Sequence, residues 1–72
     1  MTTIGAVMPR MDGEKLREIR EKRFLSHRDL AKRANVSPTT VLNLEAGKVE
    51  AQRRTVRKLA EALGVDPATL VE

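Results

Sequence analysis

Apolar residues recur with a helical period through most of the chain, and small or polar residues break that period at short intervals. Leu16, Ile19, Arg20 and Arg23 share one face at roughly 100° per residue, which predicts a helix from Gly13 to about Arg23 capped by Asp12. Ser26-His27-Arg28-Asp29 is an S-x-x-D form of the capping box, and the helix it opens buries Leu30, Ala31 and Ala34. Asn35-Val36-Ser37 interrupts the period: Asn tolerates a left-handed backbone, Val36 can plug the core, and Ser37 caps a third helix whose first residue is Pro38. In that third helix Val41 and Leu44 point one way with Glu45 beside them, while Thr39 and Asn43 point the other way with Leu42 alongside. Gly47 ends it, with a positive φ expected there. Val56, Leu59, Ala60 and Leu63 form an i, i+3, i+4, i+7 stripe stopped by Gly64, and Asp66-Pro67 opens a last short helix that tucks in Leu70.

Two helices separated by three residues, the second presenting small polar side chains outward, have the layout of a helix-turn-helix. In that motif the second helix reads the major groove of DNA. Residues 1–11, with Gly5 and Pro9 and no sustained period, read as a flexible N-terminal arm, leaving 12–72 as one helix-turn-helix DNA-binding domain. No internal repeat or low-complexity tract is present.

A chain of 72 residues has room for one small core, and with no cysteine that core must hold without disulfides or thiolate metal sites. Fourteen Lys and Arg against ten Asp and Glu give a net charge of +4, and with a pI near 10.1 the chain favours polyanionic partners. The apolar opening Thr2 to Met8 lacks a basic leader and is far shorter than the roughly 18 residues of a membrane span, so a cytoplasmic, nucleoid-associated protein with no membrane contact is expected. One histidine and no cysteine cannot assemble the common nucleophile-base or zinc arrangements. Asp12 with Glu14, or Glu18 with Glu21, serve better as helix caps or solvated charges than as an acid-base pair. Neither an enzyme, nor a metal site, nor a cofactor is expected.

The segments L-A-K-R-A-N-V-S-P-T-T-V-L-N-L-E-A-G-K and L-A-E-A-L-G-V closely resemble the lambda repressor and Cro (XRE) family of helix-turn-helix regulators. The resemblance covers about residues 14 to 71. Its most specific parts are Leu30-Ala31, Val36-Ser37, Leu44-Glu45-x-Gly47 and Leu63-Gly64-Val65. It implies an all-α, compact five-helix domain that acts as a homodimer on duplex DNA, in bacteria or phage, and regulates transcription by occupying a promoter. An alternative is an antitoxin-like subunit that seals a partner toxin through the apolar arm or the last helix and autoregulates its operon. A third is an RNA-binding or coactivator-bridging relative.

Thr39 and Asn43 are the candidate base contacts, since Asn can bond two edge positions of adenine and Thr offers a hydroxyl or a methyl. Leu42 on the same flank could touch a thymine methyl or be one more exposed leucine. Thr40, at the stripe's edge, suits a phosphate. Lys48, Arg53, Arg54 and Arg28 occupy positions that the resemblance places near the sugar-phosphate backbone. Arg20 on an apolar face and Glu45 at the border of another should pair, and the resemblance assigns an internal ion pair to these two positions.

Three positions depart from the family's pattern. His27 stands where the family has a phosphate-gripping Gln, and an imidazole still donates while its charge varies near neutral pH. Phe24, the sole aromatic residue, stands where the family has Gly, so the turn is either built differently or strained. Ala51-Gln52 replaces a Pro, which leaves the fourth helix without a start signal.

Overall fold

The computed structural model describes residues 10–72, so expectations about residues 1–9 of the arm lie outside the described residues. Four α-helices follow in order: α1 (Gly13–Lys22), α2 (His27–Ala34), α3 (Pro38–Glu45) and α4 (Arg53–Leu63). The fifth element is a single 3-10 turn, Pro67–Leu70, rather than a full helix. The fold is all-α, as the periodicity predicts.

Each start follows from a short polar side chain. Asp12 accepts from the Lys15 amide, Ser26 and Asp29 form a reciprocal capping box, and Ser37 accepts from the Thr40 amide ahead of Pro38. The hydrogen bond that the Asp29 carboxylate accepts from the Ser26 backbone amide, with the Ser26 hydroxyl nearby, holds the Asp29 carboxyl below the ordinary aspartate range. Gln52 makes no side-chain cap, and α4 starts there without one. Ala51, immediately before that cap, is buried in the core.

All four helices stop in the same way. The chain turns left-handed at Phe24, Asn35, Gly47 and Gly64, with φ of 57°, 58°, 73° and 71°. At each turn the next residue's amide reaches back to the last helical turn: Leu25 to Arg20 O (3.2 Å), Val36 to Ala31 O (2.9 Å), Lys48 to Asn43 O (3.0 Å) and Val65 to Ala60 O (3.0 Å). This is the Schellman closure, which suits Gly and tolerates Asn. Phe24 adopts it too, so the turn is of the usual kind and carries backbone strain of about 1 kcal/mol or more. Placing Phe24 at the turn also ends α1 at Lys22 and leaves Arg23 as an exposed cap rather than part of the apolar face.

The core is aliphatic throughout. Leu16, Leu30, Val41, Leu44, Leu59, Leu63 and Leu70 are fully buried, so every element contributes at least one of them. Each such side chain stabilises the fold by roughly 1.5–3 kcal/mol relative to exposure. Phe24, the largest apolar side chain, contributes nothing to this core, being 93% exposed.

The folded unit begins earlier than the expected arm boundary at residue 11. Met11 is buried and forms an antiparallel bridge with Val71, flanked by Asp12 N–H to Leu70 O (2.8 Å) and Glu72 N–H to Arg10 O (2.9 Å). Arg10 and Met11 therefore belong to the domain, zipped to its last residues.

Replacing Phe24 by Gly removes the strain and no buried contact. F24G is expected to raise the melting temperature by roughly 4–8 °C, corresponding to about 1 kcal/mol, in a thermal unfolding scan. A variant melting at or below the parent would show that the turn is unstrained.

Candidate nucleic-acid interface

α3 is held from beneath by α1 at two points. At the first, Gly13 sits so close to the end of α3 that a Cβ there would lie 2.5 Å from Leu44 O and 2.7 Å from Glu45 O, so only glycine allows this approach. The second, two turns along α1, is Arg20. Its guanidinium Nε donates to Glu45 Oε2 at 2.6 Å and its Nη2 to Glu45 Oε1 at 3.1 Å, a two-pronged carboxylate contact. The remaining nitrogen, Nη1, donates to Leu25 O at 2.7 Å. The two side chains are only 9% and 6% exposed, and among the described residues no buried side-chain polar atom lacks a partner. Hydrogen bonding to Glu45 raises the Arg20 pKa further above its already high ordinary value, with burial opposing, so this cation is permanent.

His27 joins the same cluster. Its Nε2 lies 3.0 Å from Glu45 Oε1, tying the first residue of α2 to the last residue of α3. That contact brings together two residues 18 apart in the chain, and the sequence gives no local signal for it. The ring expected to face a phosphate thus spends one of its two nitrogens on Glu45.

Thr39 and Leu42 are exposed on the outer side of α3, Leu42 at 52%, and Asn43 is partly exposed beside them. Val41 and Leu44 on the inner side are buried. The outward face carries no acidic side chain. Thr40 is partly buried and its hydroxyl lies 3.0 Å from that of Ser37, so it is engaged in the helix entrance. Arg28, Lys48, Arg53 and Arg54 are all exposed. Arg53 and Arg54 share an open concavity with Gln52 and Arg57. Arg57 extends the basic surface and was legible from its i+3 and i+4 spacing to Arg54 and Arg53. Val49, 48% exposed in the loop after α3, has no period to reveal it.

The helix-turn-helix domain family matches residues 13–72, nearly all of the described chain. The chain belongs to that family. A relative from Methanothermobacter thermautotrophicus, named as an HTH-type transcriptional regulatory protein, is 39% identical over 61 residues. The match takes in 85% of this chain but 20% of the relative, so the chain spans about a fifth of that protein's length. Among solved structures, the restriction-modification controller protein of Aeromonas hydrophila superposes with a TM-score of 0.77 at 32% identity, covering 79% of this chain and 86% of the controller. A similar fold also occurs as a small part of a larger protein. A hydroxyethylphosphonate dioxygenase variant superposes with a TM-score of 0.76 at 25% identity, over 88% of this chain and 14% of the enzyme. Among the described residues no group of His, Asp or Glu is placed to hold a metal ion, and no helix is long and apolar enough to cross a membrane.

Breaking the ion pair leaves a buried charge alone. Arg20→Met and Glu45→Leu are each expected to lower the unfolding free energy by about 3 kcal/mol or more in urea titrations. The double variant should lose less than the sum of the two. Single variants as stable as the parent would show that the pair does not hold the fold.

Proposed function

We propose that this helix-turn-helix domain binds duplex DNA with α3 in the major groove and serves a transcriptional regulator. The observation that carries this reading is the outer face of α3, where Thr39, Leu42 and Asn43 project without an acidic neighbour from a helix braced by α1 and α2. A relative named as an HTH-type transcriptional regulatory protein supports it. Asn43 and Thr39 supply the hydrogen-bonding contacts to base edges, and Leu42 an apolar contact to a thymine methyl. Arg28, Lys48, Arg53 and Arg54 supply the sequence-independent attraction to phosphates, with Thr40 at the helix entrance. So small and neutral a reading face makes few direct bonds, which leaves part of the specificity to DNA shape. The protein acts as a dimer on two half-sites, an arrangement common to DNA readers of this architecture.

Selection of bound fragments from random duplex DNA tests the whole reading: an enriched, two-fold-related motif with half-sites about 10 base pairs apart is expected. Lys48→Ala should then weaken binding to all duplexes alike and flatten the salt dependence, whereas Asn43→Ala should weaken the selected site by roughly 1–3 kcal/mol more than an unrelated duplex. Failure to enrich any sequence, or equal losses from both variants on both duplexes, would contradict this division of roles.

A further inference from the structure

Of the residues that turn left-handed at the helix ends, Asn35, Gly47 and Gly64 are of types that adopt this backbone readily. Phe24 is the exception. Nothing inside the molecule offsets its strain, because the ring is 93% exposed, whereas the other exposed large apolar side chains among the described residues, Leu42 and Val49, stand at 52% and 48%. Hydrophobic burial therefore does not hold the ring where it is. A side chain that strains the backbone and touches little of its own chain points to a contact made with another molecule.

What the ring can meet follows from its surroundings. The stretch from Lys22 to Arg28 holds three Lys or Arg side chains and no carboxylate, and Lys22, Arg23 and Arg28 are all exposed. The acid just before it, Glu21, is engaged by Arg17 at 3.2 Å. The partner that suits this surface is anionic, with apolar surface between its charges. The turn is also fixed to the end of α3: Arg20 holds Leu25 O at 2.7 Å and, through the same guanidinium, Glu45, which His27 reaches at 3.0 Å. A strand bordering a groove that holds α3 has the matching chemistry, since its phosphates alternate with the apolar faces of deoxyribose rings.

We infer that Phe24 is a DNA contact in its own right: its ring lies on a deoxyribose of the strand that passes the end of α3, where it adds affinity for any sequence. This rests on the reading of α3 as a major-groove helix. The contact differs from those of the lysines and arginines in being uncharged, and from those of Thr39 and Asn43 in touching no base edge. Every nucleotide offers the same sugar. Removing the ring should therefore weaken binding while leaving the salt dependence and the sequence preference as they were.

The test compares the full chain with F24G and F24N, which suit a left-handed turn, and with F24W, which keeps a flat apolar ring. Affinity is measured for the selected duplex and for an unrelated one at several salt concentrations. F24G and F24N should melt no lower than the parent yet bind both duplexes roughly three- to tenfold more weakly, the effect of leaving about 25–55 Å² of apolar surface uncovered. Their salt slopes should match that of the parent, and F24W should bind as the parent does. The chain has no tryptophan of its own, so the emission of F24W reports on this position alone. Acrylamide should quench that emission less once duplex is added. Parent-like affinity in folded F24G and F24N, a loss confined to the selected duplex, or an indole equally open to acrylamide at duplex saturation would overturn the inference while leaving duplex binding intact. An indole shielded by single-stranded DNA but not by duplex would overturn it as well, since the ring would then be a stacking platform for bases. No binding of the parent to either duplex would overturn both this inference and the reading on which it rests.

Discussion

The bond between Arg20 and Glu45 is where the helices of this domain meet. Arg20 belongs to α1, its Nη1 holds the carbonyl of Leu25 in the turn to α2, and its other two nitrogens hold the last residue of α3. Through the same carboxylate, His27 fastens the start of α2. One guanidinium thus joins α1, the strained turn at Phe24 and the end of α3, with all three kinds of donor nitrogen satisfied. A guanidinium can do this where an ammonium could not, because its planar fork presents separate donors in fixed directions. Burial of such a pair adds little net stability by itself, but it forbids arrangements in which either charge goes unmatched.

That constraint matters because α3 has little reason to be a helix on its own. It is eight residues long, shorter than an isolated helix needs, and Thr39, Thr40 and Val41 are β-branched. Its order comes from outside: Ser37 and Pro38 at the entrance, Val41 and Leu44 in the core, Gly13 pressed against its last carbonyls and Arg20 on its last side chain. The outward residues are therefore free of any structural duty, and a surface that need not hold the fold can be chosen to read a partner.

Much of this is visible in the residues alone. Caps made by Asp12, Ser26 and Ser37 act over three residues, and the stripe of α4 repeats at a fixed period, so local chemistry reveals them. The left-handed turn at Asn35 is legible for the same reason. Other features are decided by tertiary contacts. α4 starts at Arg53 with no side-chain cap, behind a buried Ala51, and no capping signal announces it. Met11 joins the domain because Val71 pairs with it from the far end of the chain. Gly13 looks like a poor helix residue until the backbone of α3 is found against it. At the candidate interface, the face of α3 follows from helical geometry, whereas the link between His27 and Glu45 depends on how two helices cross. Phe24 falls between these cases: its position after α1 marks a left-handed turn, and only the structure shows that the ring takes the strain while remaining in solvent.

Mapping backbone amide shifts during titration with a duplex carrying the selected sequence tests most directly whether α3 is the reading element. The largest changes should fall on residues 38–45, the start of α2 and the basic loop after α3, with the buried face of α4 unmoved. Changes confined to other surfaces, with residues 38–45 silent at saturation, would contradict a major-groove role for α3.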